Sequence, residues 1–294
     1  MKSGFVAILG RPNAGKSTFL NAFISKKVSI VTQKAQTTRD SIIGIYHEKE
    51  AEISFIDTPG LFDPKEALDK EMVKTARSAS KDVDVALYIV DVSRKEWDEE
   101  KKTIDSLHIK SPLIIALNKI DLIKIDEGKA ALEVFSTYYP EAEIIEMSAL
   151  DNFGLKECKE RIISHLSVGP SFFEEDRFTD KDKPFMAKEV IREEILHFLN
   201  EEVPHQAAVE ILSFEEKGDS VKIEAKIFVE KLSHKAIVIG KGGEMIKKIS
   251  MSARRELERL WKNHVTLYVE VAYEPNWRNS IAKLRKLGYG QSDK

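Results

Sequence analysis

The chain has 294 residues, of which 42% are hydrophobic and 32% are charged, and its formal net charge is −3. A chain of this length and composition can bury a substantial core, and we expect two domains. The single cysteine, Cys158, excludes an internal disulfide and a cysteine-rich metal site, and it is typical of a protein from a reducing compartment.

The first apolar run, GFVAIL, is too short for a secretory signal and leads into a glycine-rich loop instead of a cleavage site. Nowhere does the sequence hold the roughly 18 uninterrupted apolar residues that a membrane-spanning helix needs. We therefore expect a cytoplasmic protein, with at most a peripheral association at the inner face of the cell membrane.

Short runs rich in branched residues alternate with helical stretches in the N-terminal part. They cover residues 4–9, 51–57, 84–91, 113–119 and 143–149. This alternation predicts a mostly parallel sheet covered by helices. Polar residues follow these runs, so they should gather beyond the carboxyl ends of the strands, where open α/β sheets bind their ligands.

The segment Gly10–Ser17, GRPNAGKS, fits the phosphate-loop pattern GxxxxGK[ST] and stands between a predicted strand and a predicted helix. Glycines let the backbone N–H groups wrap the phosphates, and the helix N-terminus adds a favourable dipole. Lys16 would neutralise β- and γ-phosphate charge, and the Ser17 hydroxyl would bind Mg²⁺. A plain glycine turn would leave the adjacent Lys-Ser without purpose.

The motif DTPG, residues 57–60, follows the second strand of the predicted sheet. It places the Asp57 carboxylate for the Mg²⁺ shell and the Gly60 amide for a γ-phosphate. Upstream, KAQTTRD carries hydroxyls that could complete the metal coordination, and we favour Thr38 over Thr37 as the ligand. A plain loop is the competing interpretation of that stretch.

The motif NKID, residues 118–121, ends the strand that begins at Leu113. The carboxylate of Asp121 could accept hydrogen bonds from both N1–H and the N2 amine of guanine, and adenine offers neither donor there. SAL, residues 148–150, follows the next strand, where a backbone amide could meet the guanine O6. These motifs predict a guanine-specific site.

The segment VGPSFFEEDRFTDKDKP lacks periodicity and is rich in Pro and charged residues, as expected of an interdomain connection. We predict a nucleotide-binding domain over residues 1–168, a linker over 169–184 and a small α+β domain over 185–294. The last of these should comprise a helix, two strands, a short apolar run AIVIG, a helix, a strand and a basic tail helix.

The run HKAIVIGKGGEMIKKI contains Gly240, Lys241, Gly242 and Gly243, and it resembles the GxxG loop of a KH domain of the type II arrangement. A loop without bulky side chains lets a sugar-phosphate backbone approach a helix N-terminus. Ile237 and Ile239 would floor a groove for bases. Between Lys235 and Lys262 eight basic residues stand against three acidic ones, as expected of a phosphate-binding surface; a solvated helix face is the alternative. The predicted RNA-binding residues are Ile237, Ile239, Gly240, Lys241, Gly242, Gly243, Lys247 and Lys248.

The motifs GRPNAGKS, QTTRD, DTPG, NKID and SAL, in that order, resemble the signature elements of translation-factor-class GTPases, and above all those of the Era family. The linker and the helix after it also resemble that family, so the likeness covers nearly the whole chain. It implies an α/β P-loop GTPase domain followed by a smaller KH domain, Mg²⁺ as cofactor, hydrolysis of GTP to GDP and phosphate, and base contacts from Asn118 and Asp121.

The implied nucleotide site has three groups of residues. The phosphate-binding residues are Gly10, Asn13, Ala14, Gly15, Lys16, Ser17, Thr18 and Gly60. The guanine-binding residues are Asn118, Lys119, Asp121, Ser148 and Ala149, and the Mg²⁺ ligands are Ser17, Thr38 and Asp57.

Leu61 occupies the position at which many small GTPases carry a water-orienting glutamine. In relatives that share a PNxGKS loop, the asparagine corresponding to Asn13 helps to hold K⁺, so the resemblance implies a K⁺ requirement; loop capping is the alternative role for Asn13.

The Era resemblance further implies binding near the 3′ end of small-subunit ribosomal RNA and a role in small ribosomal subunit assembly. The residues alone indicate only single-stranded RNA, and we expect no DNA partner and a monomer. Two alternatives stand beside this hypothesis. One is an RNA-binding scaffold with a vestigial nucleotide site. The other is a membrane-surface GTPase whose basic tail, with Arg278, Lys283, Arg285 and Lys286, contacts anionic lipids.

Overall fold

The structure, a computed structural model, describes residues 1–32, 34 and 36–289. It divides into two compact units. The first takes in Met1–Ser29, Thr38–Pro64 and Asp69–Asp180. The second takes in Ile30–Thr37, Lys65–Leu68 and the chain from Lys181 onward.

The first unit is built on one twisted sheet. Its strands in the described residues are β1 (Lys2–Leu9), β2 (Ile42–Glu48), β3 (Ala51–Asp57), β4 (Val85–Asp91), β5 (Leu113–Asn118), β6 (Glu143–Met147) and β7 (Ser167–Val168). The strand order is β2-β3-β1-β4-β5-β6, and β7 pairs with the first residues of β1. Strands β3, β1, β4, β5 and β6 are mutually parallel, which confirms the predicted mostly parallel sheet.

Helices connect these strands: α1 (Lys16–Ile24), α2 (Ala67–Ala79), α3 (Trp97–Asp105), α4 (Ile125–Tyr138) and α5 (Leu155–His165). Strand β4 is buried along its whole length, because a parallel strand in such a sheet is covered on both faces. Four parallel strands, β1, β3, β4 and β5, have their carboxyl ends on the same side of the sheet. The segments that follow these strands therefore lie near one another.

Strand β2 is absent from the sequence prediction. It is antiparallel to β3 and forms an edge of the sheet. Gly44 interrupts its apolar pattern, and a side chain there would meet Leu20 and Ile24 of α1 at 2.6 Å. The strand thus combines an edge position with a close approach to a helix, and neither leaves a clear alternating signal.

Part of the predicted linker lies along β2. The Ile45 N–H donates to the Phe178 carbonyl at 2.9 Å, and the Ile43 N–H donates to the Asp180 carboxylate at 2.8 Å. Further upstream, the buried Glu52 carboxylate accepts from the Phe172 N–H at 3.1 Å. Residues up to Asp180 therefore count with the first unit, and the domain boundaries proposed above stay a prediction.

The second unit packs helices on one three-stranded sheet. Its elements in the described residues are α6 (Lys183–Phe198), β8 (Ala207–Lys217), β9 (Ser220–Val229), α7 (Leu232–Ile239), α8 (Glu244–Trp261), β10 (His264–Tyr273) and α9 (Ile281–Lys286). Strand β9 is central, antiparallel to β8 and parallel to β10. Its core joins apolar residues of α6, α8 and the sheet, among them Ile191, Ile223, Ile249 and Leu257.

The apolar run AIVIG lies in α7, a helix of eight residues. The helical conformation could not be predicted from residue propensity, because a run of branched residues this short fits a helix as well as a strand. Val238 is buried in the core, whereas Ile237 is 47% exposed. The helix therefore presents one of the two predicted groove residues to solvent.

Candidate functional site

The phosphate loop runs from the end of β1 into α1, and two of its glycines have conformations that other residues rarely adopt. Gly10 has φ 145° and Gly15 has φ 103°. A Cβ on Gly10 would lie 2.4 Å from the Ile89 carbonyl oxygen, and one on Gly15 would lie 2.3 Å from the Asn118 amide nitrogen. Both positions therefore exclude larger residues, through the backbone conformation and through the lack of space.

Lys16 is the first residue of α1, and its ammonium group is buried beneath the loop. Its Nζ donates to the carbonyl oxygens of Gly10 at 3.0 Å and Arg11 at 3.1 Å. Burial lowers the pKa of Lys16 to about 8, and the charges of Asp57 and Glu100 oppose that shift. The Lys16 ammonium is thus poorly solvated, and a bound anion such as a phosphate would neutralise its charge.

Three oxygen-bearing side chains converge next to Lys16. The Ser17 hydroxyl lies 3.0 Å from the Thr38 hydroxyl and donates to Asp57 Oδ2 at 2.9 Å. The other carboxylate oxygen of Asp57 is buried and has no hydrogen-bond partner among the described residues. Burial raises the pKa of Asp57, while the Lys16 charge lowers it.

This cluster fits Mg²⁺, a hard cation that protein sites hold through one or two carboxylates together with phosphates and water. Ser17 and Thr38 offer hydroxyl oxygens, and Asp57 offers a carboxylate with one oxygen unused by the protein. In the part of the chain that the structure describes, no cluster of three or more His, Cys, Asp or Glu suits a metal ion. Thr37, the alternative ligand, instead bonds Thr32 and the Lys34 carbonyl.

The segment after β3 packs against the phosphate loop. A Cβ on Gly60 would lie 2.8 Å from both N and Cα of Pro12, and the Leu61 N–H donates to the Gly10 carbonyl at 3.1 Å. The Leu61 side chain is buried in the core of the unit. An apolar, buried side chain cannot orient an attacking water.

Asn118 connects three segments at the other end of the site. Its side-chain amide donates to the Ala14 carbonyl at 2.8 Å, and its carbonyl accepts from the Ala149 N–H at 2.9 Å. Asn118 therefore holds the phosphate loop against the SAL turn. The Ala149 amide thus lies in the SAL turn with Asn118 as its partner, and its contact with guanine O6 stays a prediction.

The two charged residues of the NKID motif, Lys119 and Asp121, have different surroundings. Asp121 lies exposed in the turn Ile120–Leu122 after β5, open to a ligand. Lys119 has φ 67°, and its Nζ donates to Asp91 Oδ2 at 2.6 Å. Asp91 ends β4, and its place at the end of an apolar run gives no sign of this contact.

The GxxG loop lies between α7 and α8 in the second unit. Gly240, Gly242 and Gly243 have φ values of 74°, 60° and 80°. A Cβ on Gly240 would lie 2.8 Å from the Met245 nitrogen, whereas Gly242 and Gly243 face open space. Lys241 of the loop and Lys247 and Lys248 of α8 are exposed. The loop thus combines an accessible backbone, the N-terminus of an 18-residue helix and positive charge.

Known proteins match both halves of the chain. A family model described as 50S ribosome-binding GTPase matches residues 5–119, and one described as KH domain matches residues 202–278. GTPase Era of Ruminiclostridium cellulolyticum is 42% identical over 290 residues, which covers 98% of this chain and 97% of the relative. GTPase Era of Caldicellulosiruptor saccharolyticus is 45% identical over 294 residues, with coverage of 98% and 97%. The chain belongs to the GTPase Era family.

Solved structures of Era show the same fold over the whole length. Era in complex with MgGDPNP and nucleotides 1506–1542 of 16S ribosomal RNA is similar with a TM-score of 0.95 and 35% identity, covering 99% of this chain and 100% of that chain. An Aquifex aeolicus Era variant bound to GDP and AlF4⁻ has a TM-score of 0.93 and 34% identity, with coverage of 99% and 100%. The predicted α/β P-loop GTPase domain and the C-terminal KH domain are confirmed.

No helix among the described residues has the length and apolar character to cross a bilayer.

Proposed function

We propose that this chain binds GTP with Mg²⁺ and hydrolyses it, and that it binds single-stranded RNA near the 3′ end of small-subunit ribosomal RNA during small-subunit assembly. The observation that carries the nucleotide part is the convergence of Ser17, Thr38 and Asp57 beside the buried Lys16. The RNA part is supported by the exposed GxxG loop and by the likeness to Era bound to 16S ribosomal RNA.

In hydrolysis a water oxygen forms a bond to the γ-phosphorus, and the bond from that phosphorus to the β–γ bridging oxygen breaks to give GDP and phosphate. Lys16 neutralises charge on the β- and γ-phosphates, and the Gly60 amide meets the γ-phosphate. Ser17, Thr38 and Asp57 would hold Mg²⁺, which supplies further positive charge at the phosphates. Asp121 accepts from guanine, while Asn118 keeps the phosphate loop and the SAL turn in register.

We further propose that hydrolysis of GTP depends on a monovalent cation, K⁺. Leu61 is buried, so the positive charge or water positioning that a polar side chain could supply must come from elsewhere. Asn13, with φ 62° in the phosphate loop, is the proposed K⁺ ligand. Phosphate release should be faster in KCl than in NaCl at equal ionic strength, and Asn13→Ala should remove that difference. Equal rates in the two salts for the wild-type protein would contradict the K⁺ assignment.

The nucleotide site is tested by phosphate release from GTP in the presence of Mg²⁺. Lys16→Ala removes the main cation of the loop and should abolish nucleotide binding or hydrolysis, whereas Lys49→Ala, in the exposed turn before β3, should not change the rate. Wild-type protein that binds RNA but releases no phosphate would favour the scaffold with a vestigial nucleotide site.

The proposed setting is the cytoplasm, with the protein as a monomer and without a DNA partner. Much of the tail charge is already engaged within the second unit: Arg278 pairs with Glu230 at 2.7 Å, Lys283 pairs with Glu274, and Lys286 lies 3.4 Å from Glu210. Such pairing leaves less free charge for anionic lipids. Vesicle binding that persists without RNA, and that is lost when the four basic tail residues become Gln, would support the peripheral membrane alternative.

A further inference from the structure

Arg94 contacts the phosphate loop although it lies outside every motif. It ends the short turn Val92–Arg94 that follows β4. Its guanidinium NH2 donates to the Pro12 carbonyl at 2.9 Å, and its Nε lies 3.2 Å from Asp91 Oδ2. One guanidinium thus joins a loop carbonyl to a fixed carboxylate.

Asp91 is only 4% exposed, and each of its two carboxylate oxygens has two described polar contacts. Its Oδ1 accepts from the Ser93 N–H at 3.2 Å and the Ser93 hydroxyl at 2.5 Å. Its Oδ2 accepts a hydrogen bond from Lys119 Nζ at 2.6 Å and also pairs with Arg94 Nε. A buried carboxylate shared by two cations limits the orientations that either cation can adopt.

Pro12 also lies close to Gly60, the residue whose amide should meet the γ-phosphate. Gly60 approaches it so closely that a Cβ would lie 2.8 Å from the Pro12 nitrogen and Cα. The adjacent Arg11 is held by Glu96 at 2.7 Å. Pro12 has no N–H, so its carbonyl is its one backbone polar group, and that carbonyl accepts the hydrogen bond from Arg94.

We propose that Arg94, oriented by Asp91, is a positioning residue for recognition of the γ-phosphate. It holds Pro12 where the Gly60 segment can pack, and that packing places the Gly60 amide at the γ-phosphate. The inference rests on the proposed GTP function and adds one residue to it. Loss of Arg94 should therefore penalise a GTP analogue more than GDP, because GDP has no γ-phosphate for the Gly60 segment to meet.

The test compares dissociation constants for GDP and for a non-hydrolysable GTP analogue, both with Mg²⁺. Arg94→Met keeps the aliphatic stem and removes the donors, and it should raise the ratio of analogue Kd to GDP Kd about fivefold or more, the lower end of typical coupling. Arg94→Lys restores one donor and should recover part of the ratio. Lys95→Met changes the neighbouring residue, whose side chain pairs with Glu127 at 2.6 Å instead of with the loop carbonyl, so it should leave the ratio unchanged.

An unchanged ratio in Arg94→Met would overturn the inference, whether both affinities stay the same or fall together. If Arg94→Met does not fold, Asp91→Asn supplies the same comparison: it should weaken both nucleotides through Lys119 and raise the ratio through Arg94. Retained GDP binding shows that a variant is folded. Wild-type protein that binds neither nucleotide would instead refute the proposed function, so the two failures are distinguishable.

Discussion

At the scale of single residues, the charge of Lys16 should control nucleotide affinity through pH. Burial lowers its pKa to about 8, whereas bound phosphates would stabilise the ammonium and raise that pKa again. Above pH 8 the free protein loses the proton that the complex needs, so binding must take up a proton. The affinity for GDP should therefore fall as pH rises above 8, by at most about tenfold per pH unit for one proton.

Dissociation constants measured between pH 7 and 9.5 check this prediction. Lys16→Arg is the matched control, because arginine stays protonated throughout that range. The GDP affinity of this variant, even if weaker, should not fall with pH as that of the wild-type protein does. A wild-type affinity that is flat from pH 7 to 9.5 would show that the Lys16 charge does not limit binding.

Asp121 is the residue on which the choice of base depends. Replacement by Asn leaves an amide donor opposite the guanine N2 amine, so GTP binding should weaken on the order of 10²- to 10⁴-fold. Xanthosine triphosphate, whose extra carbonyl can accept from the new amide, should become the better ligand. Competition binding with both nucleotides measures the switch, and Asp126→Asn, on the exposed start of α4, is the control. Unchanged GTP affinity would mean that the base contact lies elsewhere.

Single-residue chemistry was predictable from sequence where a motif fixes spacing along the chain. Lys16, Ser17 and Asp57 belong to such motifs, and the structure brings them together. Supporting residues were not predictable in the same way, because their partners are distant in sequence: Arg94 bonds a carbonyl 82 positions earlier. Asn118 shows a related limit, since its motif identified the residue but not its bonds to Ala14 and Ala149.

At the scale of elements, buried strands of the parallel sheet gave the clearest sequence signal. Strands β4 and β5 are apolar runs in the middle of a parallel sheet, and the predicted runs match them closely. Strand β2 and helix α7 were missed for different reasons: β2 is an edge strand interrupted by Gly44, and α7 ends in three β-branched residues that favour strands. Tertiary packing decides such short elements, and local propensity does not.

The GxxG loop provides the element-scale test of RNA binding. Lys241→Asp combined with Gly242→Asp adds negative charge where phosphates should pass, and it should weaken single-stranded RNA binding while leaving intrinsic GTP hydrolysis near normal. Lys241→Asn with Gly242→Asn is the matched control, because asparagine has nearly the same shape as aspartate and tolerates the φ of 60° at residue 242. Affinity is measured by titration of a labelled RNA oligomer over a range of salt concentrations.

The aspartate variant should bind RNA more weakly than the asparagine variant, and both more weakly than the wild-type protein. For the wild-type complex, log Kd should rise with log salt at about 0.7 per neutralised phosphate, as expected for single strands. Equal affinity of all three proteins would remove the KH loop from the RNA site.

At the scale of the whole molecule, the division into units suggests why both activities share one chain. The second unit includes Ile30–Thr37, which ends directly before Thr38, and Lys65–Leu68, which begins five residues after Gly60 of the DTPG motif. Within that unit, Arg192 of α6 donates to the Thr37 carbonyl, and Arg278 pairs with Glu66 at 2.7 Å. In GTPases the segments around the metal-binding threonine and the DxxG glycine are ordered by the γ-phosphate and released on hydrolysis. Segments of the second unit thus lie close in sequence to Thr38 and Gly60, whose segments the nucleotide state should order or release.

We therefore predict that RNA affinity differs between the GTP-analogue state and the GDP state by about fivefold or more. Thermodynamic linkage requires bound RNA to change the relative affinity for the two nucleotides by the same factor.

The most direct test of this account is titration of a labelled single-stranded oligomer from the 3′ end of small-subunit ribosomal RNA against protein saturated with each nucleotide, at one salt concentration. We predict two dissociation constants that differ at least about fivefold. Indistinguishable constants would contradict it, because the nucleotide site and the RNA site would then be tethered without acting on each other.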